Sequence, residues 1–154
     1  MKKIKYLFVG VICLLLVGCC VSDESKNVGS LSDFESVASN NNFVVEDNIN
    51  SYSDVDYITE AKIATFDDII LEMIVYTDSD SAIKVQDAQI DSFRKIKNTG
   101  VTEHKDEGKN YYKFWMVSNG YYVVSSRVDN TLIFCKTMLK NKEKIEAILD
   151  SMNY

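Results

Sequence analysis

Ser118-Asn119-Gly120 separates two runs rich in aromatic and branched residues, Tyr111 to Val117 and Tyr121 to Val128. Asn-Gly supplies the positive φ values that a type I′ turn needs, and the twist of that turn matches two antiparallel strands. The spacing predicts a β-hairpin, which needs further strands or helices to be stable. Asp129-Asn130 predicts a second turn, into a strand over Thr131 to Thr137. Upstream, Tyr57 to Phe66 and Ile69 to Tyr76 flank Asp67-Asp68 and predict another hairpin. The run from Ile69 to Tyr76 is apolar on both faces except at Glu72, which places it centrally in a sheet. Proline is absent, so turns rest on Gly, Asn, Asp and Ser.

Helical periodicity fills the gaps. Ser32-Asp33-Phe34-Glu35 matches a capping box, with Phe34, Val37 and Ala38 as a short apolar face and Asn40-Asn41-Asn42 as the stop. Phe43-Val44-Val45 predicts a short strand, and the polar residues 46–55 a loop. A helix from about Asp80 to Lys97 begins after Asp78 and places Ala82, Val85, Gln89, Phe93 and Ile96 on one stripe. Asn98-Thr99-Gly100 ends it, and residues 101–109 predict a charged loop. A last helix, Asn141 to Met152, carries Ile145, Ile148, Leu149 and Met152 on one face. The expected order is α-β-β-β-α-β-β-β-α. It describes a two-layer α+β domain over residues 32–154, with a mainly antiparallel sheet of about six strands covered by amphipathic helices.

The N-terminus has a different character. Lys2, Lys3 and Lys5 precede an apolar run from Tyr6 to Val17, which is short for a membrane span of about 20 residues. The run ends in Leu16-Val17-Gly18-Cys19, which resembles the bacterial lipobox. The resemblance implies a signal peptide over residues 1–18, cleavage before Cys19, and acylation of the Cys19 thiol. Two or more acyl chains make such an anchor stable. Residues 19–31 then read as a lipidated polar tether. The expected location is the extracytoplasmic face of the cell membrane.

Net charge is −6, and losing the three lysines of the first eighteen residues leaves the body at −9. Such a body repels nucleic-acid phosphates and anionic headgroups, so no nucleic-acid partner is expected and membrane attachment falls to the lipid on Cys19. Cys13 leaves with the signal peptide. Cys20 lies in the tether, nothing local favours a Cys20–Cys135 disulfide, and Cys135 is expected to be a small buried hydrophobe.

Candidate chemistry is sparse. His104 is the only histidine and sits among charged residues, where a solvated role is expected. Zinc would need more spaced Cys and His ligands than Cys135 and His104 provide. Asp78-Ser79-Asp80 opens like a calcium loop, but Ala82, Ile83 and Gln89 occupy positions that need an oxygen ligand, glycine and glutamate. Helix capping is the expected role there. Paired carboxylates, Asp67-Asp68 and Glu103/Asp106/Glu107, could serve a hydrolase but fall in predicted turns and loops. No catalytic set, metal or cofactor is expected. The aromatic hairpin is the most suggestive feature. Alternation puts Tyr111, Lys113, Trp115 and Val117 on one side and Tyr112, Phe114 and Met116 on the other. With the second set in the core, Tyr111 and Trp115 face solvent with Arg127 nearby, a candidate surface for a protein, peptide or sugar. Cross-strand packing is the bland alternative.

Asp33-Phe34, Phe43-Val44-Val45, Ala64, the Glu72 strand, the amphipathic helix, Val128-Asp129-Asn130-Thr131-Leu132 and the closing helix to Tyr154 together resemble small lipoproteins of low-GC Gram-positive bacteria. The resemblance carries over one functional residue, Cys19. The expected function is a membrane-tethered binding or interaction module. An inhibitor or immunity lipoprotein against an envelope enzyme or toxin is the second expectation, and a carboxylate hydrolase the third.

Overall fold

A computed structural model describes residues 23–95 and 101–154. The expected signal peptide, Leu16-Val17-Gly18-Cys19, Cys20, and the end of the middle helix with its Asn98-Thr99-Gly100 stop lie outside the described residues.

Among the described residues the chain is α+β, with a seven-stranded, wholly antiparallel sheet and three α-helices. In chain order the elements are α1 (Leu31–Asn40), β1 (Val44–Asp47), β2 (Ile58–Phe66), β3 (Ile69–Tyr76), α2 (Ser79–Lys95), β4 (Thr102–Glu107), β5 (Tyr111–Ser118), β6 (Tyr121–Val128), β7 (Thr131–Met138) and α3 (Lys142–Ser151). Short 3₁₀ turns, Ile49–Tyr52 and Leu139–Asn141, precede β2 and α3. The sheet order is β1-β2-β3-β7-β6-β5-β4. Two meanders therefore meet at β3 and β7, with β1 and β4 at the edges.

The expected turns form. Asn119 and Gly120 have φ of 52° and 79°, and Asp67 and Asp129 adopt φ of 50° and 49°. Three expectations need correction. The stretch expected as a loop over 101–109 contains β4, which pairs with β5 from Thr102↔Val117 to Glu107↔Tyr112. Main-chain pairing does not depend on side-chain polarity, and an edge strand tolerates charge well. That seventh strand changes the order to α-β-β-β-α-β-β-β-β-α. Second, α1 starts from Ser30 rather than Ser32. The Ser30 hydroxyl accepts from Asp33 N–H at 3.1 Å, and Asp33 accepts from Ser30 N–H at 2.9 Å. Glu35, the expected capping acid, pairs with Lys62 instead.

Third, the domain has helices on both sheet faces, not one. One rung of the sheet holds Trp115, Val124, Cys135, Leu71 and Ala64, and the next holds Phe114, Ser125, Phe134, Glu72 and Ile63. The first set packs with Phe34 and Ala38 of α1 and Ile145, Ile148 and Leu149 of α3. From the second set, Phe114 and Phe134 pack with Ile90 and Phe93 of α2. Strands such as β3, with Leu71 and Met73 on one side and Ile74 and Tyr76 on the other, need cover on both.

The residues before α1, expected as a tether, are in part a docked strap. Lys109 N–H donates to Glu24 O at 3.0 Å. The Asn110 side chain both accepts from Lys26 N–H and donates to Lys26 O, each at 2.9 Å. The Lys26 ammonium lies 4.4 Å from the centre of the Tyr111 ring. A Cβ at Gly108 would stand 2.6 Å from Glu24 O and 2.2 Å from the Tyr111 ring, so the strap runs where only glycine leaves room.

Candidate functional site

The two faces of the hairpin β5–β6 separate the residues expected to form one surface. Tyr111 is buried under the strap, at 4% exposure. Trp115 is half-buried, stacked on His104 with ring centres 5.1 Å apart, and packed against the main core. Arg127 is on the opposite face, because the register pairs it with Tyr112 rather than Tyr111. Its guanidinium donates to Gln86 Oε1 at 3.2 Å and to Asp129 O at 3.3 Å, and burial pushes its pKa down from the ordinary arginine value. Tyr111 and Trp115 thus share a covered face, and Arg127 braces α2.

An open concavity lies along α2. Asp78 starts this helix by accepting from Ser81 N–H at 2.7 Å, and that bond holds its carboxyl below the ordinary aspartate range. Ala82, Gln86, Ile90 and Phe93 point into the sheet. Gln86 is fixed there by donating to the carbonyls of Tyr112 and Ser125, at 2.9 and 3.1 Å. The buried stripe is therefore rotated from the expected one, and Val85 and Gln89 stand at the flank, half-buried. That flank, Ser81, Lys84, Val85, Ala88, Gln89 and Ser92, forms with Tyr57 the wall of a cavity of about 660 Å³. Most of this wall is apolar.

An aromatic and carboxylate cluster supports the same region. Tyr57 stacks on Tyr76, with ring centres 6.3 Å apart. Val85 packs against the cluster that holds Ile74 and Tyr76, as does Tyr52. Glu72, the one acid of β3, accepts from Tyr52 Oη at 2.8 Å and from Asn48 Nδ2 at 2.5 Å. Burial, then the Glu72 carboxylate, raises the Tyr52 pKa, so its phenol stays a donor. The Tyr76 hydroxyl is buried with no hydrogen-bond partner among the described residues, and burial raises its pKa also. The arrangement can hold an apolar body, with Ser81, Gln89, Ser92 and Lys84 offering polar contacts at the rim. In sequence, the signal for this site was the run of small or short side chains at 81, 85, 88 and 92, spaced as one side of a helix.

The expected chemical candidates lie elsewhere. Asp67-Asp68 forms the β2–β3 turn, Glu103 meets Arg94 at 3.3 Å, and Glu107 meets Lys105 at 3.2 Å. His104 faces solvent on β4. Cys135 is a free, buried thiol whose pKa is pushed up to about 12 by burial. Among the described residues no group of three or more His, Cys, Asp or Glu side chains is placed to hold a metal. Among them, too, no helix is long and apolar enough to cross a membrane.

Sequence reasoning missed a polar network on the other face. Lys113, 7% exposed, donates to Glu146 at 2.7 Å and to Tyr154 O at 3.4 Å, and the Tyr122 hydroxyl donates to the same carboxylate. It ties α3 to β5 and β6, with Lys113 buried and Glu146 about a quarter exposed.

No protein-family model matches the chain, and no curated protein matches it in sequence. A solved structure similar to it is a GTP binding regulator from Thermotoga maritima, at 19% identity and a TM-score of 0.46, covering 80% of this chain and 87% of that one. A likeness at that level carries no argument about function.

Proposed function

We propose that this protein is a membrane-tethered, extracytoplasmic binding module, anchored by lipid on Cys19, whose α2 groove receives a small apolar ligand. The observation that carries the binding reading is the open, mostly apolar cavity lined by Val85, Ala88 and Tyr57. Its volume of about 660 Å³ is in the usual range for ligand sites, and the few polar groups at its rim suit orientation rather than chemistry. The anchor reading stands on Leu16-Val17-Gly18-Cys19 after a basic start and an apolar run.

Each half has its own test. An uncharged fluorescent probe, Nile red, is expected to bind one per chain, and Ala88→Trp to abolish that binding without changing the melting temperature. Equal probe binding by both proteins overturns the groove. Cys19→Ala is expected to move the protein from the membrane fraction to the soluble one, and an unchanged distribution overturns the anchor.

A further inference from the structure

The strap determines which end of the fold can meet a bilayer. It is pinned from Glu24 onward, at the β4–β5 turn of Gly108, Lys109 and Asn110. Only five residue steps separate Cys19 from Glu24. Even fully extended they span about 17 Å. The eight-residue strand β5 runs from that turn to the Asn119-Gly120 turn and is about 27 Å long. The chain between Cys19 and Glu24 is therefore, even at its longest, shorter than the domain, and it joins the domain at one end.

Charge acts on the rest. The body left after residue 18 carries −9 and is repelled by anionic headgroups. A particle held at one end on a short leash and repelled along its length stands with the held end toward the surface.

We propose that the end of the sheet formed by the β4–β5 turn and the β6–β7 turn faces the lipid headgroups, and that the β2–β3 and β5–β6 turns point away from the membrane. This rests on lipidation at Cys19. The contact is one of proximity enforced by chain length, so it needs no basic patch. The mixed charges at that end, Lys26 and Lys109 beside Glu24 and Asp129, fit that. It also places the exposed Tyr121, Met138 and Leu139, adjacent through the Tyr121↔Met138 pairing, at the outward tip.

The test uses full-length lipidated protein in vesicles of phosphatidylcholine and phosphatidylglycerol that carry a headgroup energy acceptor. A thiol fluorophore is placed by Lys109→Cys or by Asp68→Cys in a Cys20→Ser background, Cys135 being buried. Both positions are exposed turn residues, at opposite ends of the sheet. Energy transfer is expected to be at least twofold stronger from position 109. Inserting about a dozen Gly and Ser residues after position 20 is expected to reduce that ratio toward one. Equal or reversed transfer from the vesicle-bound parent overturns the orientation, as does a ratio indifferent to the insertion. Failure of the anchor is a separate result: a Cys19→Ser protein that still floats with the vesicles.

Discussion

The face of the sheet under α1 and α3 and the face under α2 solve the same burial problem in different ways. The first is closed. Phe34, Ala38, Ile145, Ile148 and Leu149 are fully buried against it, and even its charged lysine is capped by Glu146. The second is covered by one helix, held at its centre by Gln86 and stacked at its far end through Phe93 on Phe134. Its flank stays open as a groove. The helix residues named on the first face are fully buried, whereas the flank of α2 on the second borders a concavity.

Substitutions can break or sharpen that contrast. The largest effect is expected from Leu149→Ala on the closed face, a loss of about 3 kcal/mol measured by urea titration. Val85→Ala on the open flank is expected to cost less than about 1 kcal/mol, because Val85 is only half-buried. Equal costs would erase the distinction. Next comes Glu146→Ala, which leaves Lys113 without its carboxylate. The loss is expected near 2 kcal/mol, below the usual range for a buried pair because Glu146 is about a quarter exposed. Lys113→Met combined with Glu146→Leu is expected to recover most of it.

Alkaline pH provides a third probe of the closed face. Burial raises Cys135 from 9.0 to about 12 and Tyr154 from 10.0 to about 12. Below pH 9 both groups keep their protons whether the chain is folded or not. Above it the unfolded chain releases them first, so stability is expected to fall between about pH 9 and 12. Cys135→Val is expected to flatten the lower part of that decline in a stepped-pH urea series. Gly120→Ala is expected to lose about 1 kcal/mol for a Cβ at φ 79°, read as a lowered melting temperature.

Much of this architecture can be read from local chemistry. The Asn119-Gly120, Asp67-Asp68 and Asp129-Asn130 turns, the doubly apolar β3 and the face of α3 follow from short-range rules. The strand β4 does not, because Thr-Glu-His-Lys-Asp-Glu has no apolar alternation and owes its conformation to the free edge of β5. The candidate surface of Tyr111, Trp115 and Arg127 fails for a related reason. Alternation along β5 is correct, but it says nothing about whether the second face is covered or which residue of β6 stands opposite. Contacts between distant segments, such as Asn110 with Lys26 or Lys113 with Glu146, are fixed only by the assembled sheet. The groove depends on how α2 is rolled about its axis, and Gln86 sets that by bonding two strand carbonyls.

The two outer strands have a consequence for molecules kept at high density. β1 is only four residues long, and β4 carries the charged run Glu103-His104-Lys105-Asp106-Glu107. A neighbouring copy approaching either margin finds too few free amides to extend the ladder, or like charges facing it. Both features disfavour strand-to-strand addition between neighbouring copies.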